Sequence, residues 1–152
     1  MKMAIIYSSK TGNTEELIQY LNKLFLSHFV KVELYQVGQF SLSKLPEYDV
    51  VVIGTYTWGK GEIPTEMIPL YQAFENQNVK HILTGVVGTG DRFYSHFCGA
   101  VDGFRDMLYV QTNLTVTLKV ELSLQQSDMS RCTKFVELIL QRMKNKFSPT
   151  CV

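Results

Sequence analysis

The sequence of 152 residues has little that would point to a membrane, a disulfide scaffold or a nucleic acid. Its three cysteines, Cys98, Cys132 and Cys151, have no metal-ligand spacing and are not an even number, which favours a reducing cytoplasm. No segment approaches the roughly eighteen apolar residues of a membrane span, and the apolar run after Lys2 is too short for a signal peptide. With a formal net charge of +1 and no block of like charges, we expect no nucleic-acid partner.

What the sequence does contain is a regular alternation of strand and helix patterns, in a length that suits one domain over residues 1–152. Apolar or alternating runs predict five strands, at residues 3–7, 30–37, 49–54, 81–87 and 116–122. Apolar residues at helical spacing predict helices over 14–27, 97–108 and 132–143, and a further helix that starts near Pro69. Residues 39–48 fit neither pattern well. Buried strands that alternate with helices predict an α/β fold, a doubly wound parallel sheet with helices on both faces.

Ligands of such sheets bind beyond the carboxyl ends of the strands, where the strand order reverses. After the first strand comes a loop rich in hydroxyl groups, the first loop: Ser8, Ser9, Lys10, Thr11, Gly12, Asn13 and Thr14. A helix follows directly, and the unpaired N–H groups at its start favour a phosphate. The alternative is ordinary helix capping, for which one or two of these residues would be enough. The loop matches neither the Walker motif nor G-x-G-x-x-G.

The second loop follows the third strand and contains the only tryptophan of the chain: Thr55, Tyr56, Thr57, Trp58, Gly59, Lys60, Gly61 and Glu62. A tryptophan between glycine-rich turns at the end of a strand is well placed to stack on a flat ligand. The alternative is a tryptophan folded back onto the core.

The third loop follows the fourth strand and covers residues 88–98, with Thr89, Gly90 and Asp91 before a cluster of aromatic side chains. Tyr94 is the better ligand candidate there, although an ordinary half-buried tyrosine is the alternative. Phe97 falls on the face of the following helix and is expected in the core, and His96 is expected at the surface or an edge.

Together, the three loops resemble those of the flavodoxin family, and the resemblance runs along the whole chain. Residues 9–14 are similar to the family's S-x-T-G-N-T, residues 55–61 to T-x-T-W-G-x-G, and residues 88–101 to G-S-G-D-x-x-Y-x-x-F-C-G-A-V. Each motif alone is weak evidence for the family, but all three in the expected order, each after the expected strand, are highly specific for it. Since no loop interrupts the fifth strand, the resemblance implies the short-chain subgroup and a five-stranded sheet of order 2-1-3-4-5.

The resemblance implies that the chain binds FMN without a metal ion. The phosphate would be held by side chains and backbone of the first loop, from Ser9, Lys10, Thr11, Gly12, Asn13 and Thr14. The isoalloxazine ring would lie between Trp58 and Tyr94, with its N5 facing Gly59 and Lys60. The pyrimidine edge would be lined by Thr89, Gly90, Asp91 and Cys98. The remaining expected cofactor contacts are Thr55, Tyr56, Thr57 and Phe97. Cys98 is expected as a packing contact, because nothing in the sequence supplies an activating base.

The implied function is that of a monomeric electron carrier in the cytoplasm, in which the flavin does the redox chemistry and no side chain is catalytic. Its expected partners are a flavodoxin or ferredoxin–NADP reductase and a downstream redox enzyme. The alternatives are a flavoprotein that activates a metalloenzyme such as ribonucleotide reductase, and a quinone reductase of the same fold. A phospho-receiver domain would need an aspartate where Gly54 and Thr55 stand. Lys60 and Arg92 depart from the family's acidic or small polar residues, which bears on partner choice and redox potential.

Overall fold

A computed structural model describes residues 1–147, so Cys151 lies outside the described residues. The chain alternates strands and helices in the order that the sequence predicts. The five strands are β1 (Met3–Tyr7), β2 (Glu33–Gln36), β3 (Val50–Tyr56), β4 (Leu83–Gly90) and β5 (Asn113–Glu121). The four α-helices are α1 (Asn13–Ser27), α2 (Ile68–Asn76), α3 (Gly99–Gln111) and α4 (Met129–Phe147).

The strands form one parallel sheet in the order β2-β1-β3-β4-β5, which confirms the predicted fold. The strand β1 pairs with β2 on one side and with β3 on the other, so the order reverses at β1 and β3. In the central strands, Ile5, Val52 and Val86 are fully buried, as expected when helices cover both faces of a parallel sheet.

Helices α1 and α4 pack on one face of the sheet, where Leu17, Ile18 and Phe135 meet the strand side chains. Helices α2 and α3 cover the other face, where Phe74 and Phe104 are fully buried. None of the described helices is long and apolar enough to cross a membrane.

Two strands are longer at their carboxyl ends than their apolar patterns predict. Strand β3 continues to Tyr56 because Thr55 and Tyr56 pair in register with Gly88 and Thr89. Strand β4 continues to Gly90, which pairs with Glu121 of β5. The opening residues of the second and third loops are therefore strand residues, and pairing in the middle of the sheet fixes their positions. Strand β5 runs from Asn113 to Glu121 where 116–122 is predicted.

The structure also shifts two other predicted boundaries. Strand β2 starts only at Glu33, because the chain first turns at Phe29, whose φ of 62° is left-handed. Helix α3 starts at Gly99, since Cys98 has a φ of 53°, and Phe97 therefore lies ahead of the helix. Phe97 still packs, half-buried, against the core of that face. As predicted, α2 starts beside Pro69, and the segment 39–48 contains no α-helix or strand.

Candidate functional site

A cavity of about 600 Å³ opens at the carboxyl ends of the central strands, the place where the strand order reverses. Residues from all three loops line it, with one further residue, Leu122. The lining residues are Lys10, Thr11, Asn13, Tyr56, Thr57, Trp58, Gly59, Lys60, Thr89, Gly90, Asp91, Tyr94, His96, Cys98 and Leu122. The structure thus brings the three loops together around one space.

The first loop leads into α1 through Gly12, whose φ of 96° places it in the left-handed region that favours glycine. Ser9 serves the helix, because its Oγ accepts a hydrogen bond of 3.1 Å from the backbone N–H of Glu15. Thr11 and Asn13 instead line the cavity. Capping therefore accounts for part of the loop's polar side chains, and the start of α1 with Thr11 and Asn13 forms a site suited to an anion.

Thr14 and Thr89 join the first and third loops beneath the cavity. Their hydroxyl oxygens lie 2.8 Å apart, and both residues are buried. A hydroxyl has one hydrogen to donate, so the hydroxyl that accepts in this pair keeps its own hydrogen for another acceptor. If Thr89 donates, the Thr14 hydroxyl can still donate to an anion held at the start of α1.

The second loop is a tight hairpin that presents Trp58. The backbone N–H of Trp58 donates to the carbonyl of Glu62 at 2.8 Å, and the N–H of Glu62 donates back at 2.7 Å. Gly59 and Gly61 have φ values of 52° and 104°, which only glycine adopts readily. Trp58 is 47% exposed, and the ammonium of Lys10 lies 3.7 Å from its ring centroid. The tryptophan is therefore at the cavity and not in the core.

Tyr94 of the third loop supplies a second aromatic ring, which is 57% exposed. A turn at Asp91 holds it, because the backbone N–H of Tyr94 donates to the Asp91 carbonyl at 3.1 Å. Phe93 packs edge-to-face against Tyr94 with centroids 5.9 Å apart. Exposed rings from two loops at one cavity provide flat apolar surfaces on which a planar ligand can stack.

Cys98 closes the inner end of the cavity without being a reactive thiol. It is fully buried, and its Sγ lies 3.8 Å from the carbonyl oxygen of Gly88. Burial raises the pKa of Cys98 to about 11, which keeps the thiol protonated at neutral pH. A Cβ on Gly90 would stand 2.9 Å from the Cys98 nitrogen, so the strand end needs glycine for this close approach.

Five of the residues predicted for the site do not line the cavity: Ser9, Gly12, Thr14, Thr55 and Phe97. Ser9, Gly12 and Thr14 support the first loop as described above. Thr55 is buried in β3, where its Oγ1 donates to the Tyr56 carbonyl at 2.7 Å.

Two residues of the cavity wall, His96 and Leu122, are not among the predicted site residues. Leu122 follows β5 with a φ of 51°, and its N–H donates to the Gly90 carbonyl at 2.8 Å. The sequence signal for Leu122 is its place directly after a strand of the same sheet, but only the three central strands were expected to contribute. Among residues 1–147, no group of three or more His, Cys, Asp or Glu side chains could hold a metal ion.

The fold and the site together define a doubly wound protein with a helix start suited to an anion and two exposed aromatic rings at the switch point of the sheet. A family model described as flavodoxin matches residues 5–132. A flavodoxin from Maridesulfovibrio salexigens is 41% identical over 110 residues, which are 70% of this chain and 75% of the relative. The chain belongs to the flavodoxin family.

Solved structures agree with this assignment. A flavodoxin from Streptococcus pneumoniae TIGR4 has a TM-score of 0.86 at 32% identity, over 93% of this chain and 99% of that one. A short-chain flavodoxin associated with a bacterial microcompartment has a TM-score of 0.86 at 26% identity, over 93% of this chain and 98% of that one. The predicted short-chain flavodoxin is confirmed, and with it an FMN-binding electron-transfer protein that is not an enzyme.

Proposed function

We propose that this chain holds one FMN in the cavity and carries single electrons at low potential from a flavodoxin or ferredoxin–NADP reductase to a downstream redox enzyme. It would do so as a monomeric cytoplasmic protein, with residues 1–152 acting as one domain. The observation that carries the proposal is the pairing of an anion site with two half-exposed aromatic rings around one cavity.

The first loop suits the phosphate of FMN. The start of α1 offers backbone N–H groups with partial positive charge, and the hydroxyl of Thr11 and the amide of Asn13 reach the same cavity. Lys10 adds a positive charge at the rim. Hydrogen bonds to a charged acceptor contribute about 1.5–3 kcal/mol each, so this loop can supply much of the binding free energy.

The second and third loops suit the isoalloxazine ring. Trp58 and Tyr94 are about half-exposed at the cavity. The same cavity wall includes Gly59, Lys60, Thr89, Gly90 and Asp91. When bound, FMN supplies the redox chemistry. The task of this chain is to bind the cofactor, orient it and set the charge and hydrogen bonding around it.

The half-exposed rings also bear on partners. Electron transfer between proteins needs a short path, and Trp58 and Tyr94 reach from the cavity to the surface. A reductase or acceptor that docks over these residues would lie close to the cofactor. This geometry supports the proposed exchange of electrons with larger redox proteins.

The test is to purify the protein, record its visible spectrum, and titrate the cofactor-free form with FMN and with riboflavin. We expect a yellow protein with one FMN per chain and a riboflavin affinity lower by orders of magnitude, since several charge-assisted hydrogen bonds are lost. Reduction with dithionite should proceed in two one-electron steps. A colourless protein that binds neither flavin, or equal affinities for the two, would contradict the proposal.

A further inference from the structure

Glu66 connects the first and second loops, although it belongs to neither. It lies in a short 3₁₀ turn, Thr65–Met67, which follows the second loop in sequence. Its Oε2 accepts a hydrogen bond of 2.6 Å from the hydroxyl of Ser8 and another of 2.6 Å from the phenol of Tyr56. One carboxylate oxygen thus links the residue that opens the first loop to a residue at the start of the second.

The donors on both sides are well fixed. Ser8 is only 8% exposed, and its backbone N–H donates to the Gly54 carbonyl at 3.1 Å. Tyr56 is the last residue of β3 and stands two positions before Trp58. A displacement at either end of this link would therefore move either the start of the first loop or the backbone that carries the tryptophan.

We propose that Glu66 is a positioning residue that couples the first loop to the second, so that an anion held by the first loop favours the binding geometry of the second. This inference rests on the proposed FMN function, because it concerns how that same cavity is organised. Glu66 is not among the residues that line the cavity. Its effect reaches the cofactor through Ser8 and Tyr56.

The charge of Glu66 makes the proposal testable. Repulsion by the carboxylate and positioning by its hydrogen bonds predict opposite effects on FMN affinity when Glu66 is replaced. Partial burial raises the pKa of Glu66, but hydrogen bonds from Ser8 and Tyr56 and the positive charge of Lys10 outweigh this and leave the pKa below its ordinary value. Glu66 is therefore an anion at neutral pH. An anion beside a phosphate site repels the phosphate, so by charge alone Glu66 weakens FMN binding and does not affect riboflavin.

The experiment measures dissociation constants of FMN and riboflavin, by flavin fluorescence, for the wild-type chain and for Glu66→Ala, Glu66→Gln and Glu75→Gln. Glu75 is an exposed carboxylate on α2 and serves as the matched control for a lost charge. We expect Glu66→Ala to weaken FMN by about tenfold or more and riboflavin by much less, since two charge-assisted hydrogen bonds to the loops are lost. Glu66→Gln keeps an oxygen that can accept both hydrogen bonds, so its dissociation constant for FMN should lie between those of wild type and Glu66→Ala.

The ratio of FMN to riboflavin affinity decides the outcome. A ratio that falls in Glu66→Ala, falls less in Glu66→Gln and is unchanged in Glu75→Gln supports the coupling. A ratio that rises equally in both Glu66 variants means that Glu66 acts by repulsion alone, and an unchanged ratio means that Glu66 does not couple the anion held by the first loop to the second loop; either result overturns the inference. If Glu66→Ala does not fold, Ser8→Ala and Tyr56→Phe test the same link, and both should lower the ratio. A wild-type chain that binds no flavin contradicts the proposed function itself.

Discussion

The hydroxyl pair of Thr14 and Thr89 leads to the most specific prediction from this structure. Both side chains are buried, and their oxygens lie 2.8 Å apart between the first loop and the end of β4. Replacing either threonine by valine keeps the shape of the side chain but leaves the remaining hydroxyl without its partner. The single variants and the double variant, Thr14→Val with Thr89→Val, form a cycle that separates the pair from its surroundings.

The expected effects on stability follow from burial. A buried hydroxyl left without a hydrogen bond costs about 1–3 kcal/mol, whereas removal of both partners is nearly neutral. Each single variant should therefore lower the free energy of unfolding of the cofactor-free protein by about 1–3 kcal/mol. The double variant should cost clearly less than the sum of the two singles.

The expected effects on FMN differ between the two residues. If Thr89 donates to Thr14, the Thr14 hydrogen is available to the phosphate, and one hydrogen bond to a charged group is worth about 1.5–3 kcal/mol. Thr14→Val should then weaken FMN about tenfold to a hundredfold and leave riboflavin almost unchanged. Thr89→Val removes only the residue that orients Thr14, and its effect on FMN should be smaller.

Urea unfolding of the cofactor-free protein and fluorescence titration of both flavins measure these quantities. Additive losses of stability would mean that the two hydroxyls are not hydrogen-bonded to each other in solution. An equal effect of Thr14→Val on FMN and riboflavin would mean that the Thr14 hydroxyl does not reach the phosphate. Either result would refute the reasoning from this pair.

Three further predictions concern the second and third loops. Gly61→Ala should weaken FMN by about tenfold in fluorescence titration, because φ is 104° and the new Cβ would lie 2.5 Å from the His96 Cβ; unchanged affinity would mean that the hairpin adapts. Since burial raises the pKa of Cys98 to about 11, its alkylation in a Cys151→Ser background should be slow at neutral pH and faster as pH rises; rapid modification at neutral pH, located by mass spectrometry, would contradict this. Lys60→Asp should make the second one-electron potential of the bound flavin more negative by roughly tens of millivolts at low salt and less at high salt; a shift independent of salt would mean that Lys60 points away from the cofactor.

Most of the fold could be predicted from the sequence because each central strand is buried on both faces. Such strands, here β1, β3 and β4, read as nearly continuous apolar runs, and the helices between them show one apolar face. The boundaries were less predictable, because pairing with a neighbouring strand sets them. Thr89 belongs to β4 because it pairs with both β3 and β5, and Gly90 because it pairs with β5, which no local pattern shows.

The site was predictable to the extent that its residues follow strand ends in sequence. The three loops that line the cavity are the three predicted ones, and Trp58 and Tyr94 are exposed there as stacking residues need to be. What the sequence could not show are contacts between residues far apart in the chain. Glu66 meets Ser8 across 58 positions, and Thr14 meets Thr89 across 75. These links depend on the strand order, which brings distant loops to one edge.

The same strand order changes the charge expected around the cofactor. Within the three loops, the cations Lys10, Lys60 and Arg92 outnumber the carboxylates of Glu62 and Asp91.

The structure adds two more carboxylates to this edge of the sheet. Glu66 lies against the first loop through its hydrogen bond from Ser8, and Glu121 lies 3.6 Å from the guanidinium of Arg92. With these two, four carboxylates and three cations belong to the three loops and the residues that contact them, whereas the cavity wall itself has Lys10, Lys60 and Asp91. The charge near the cavity is therefore mixed, and the net charge of the whole chain does not describe it. Local charge, and not net charge, is the quantity on which the redox potential depends, because screening limits electrostatic effects to roughly 10 Å.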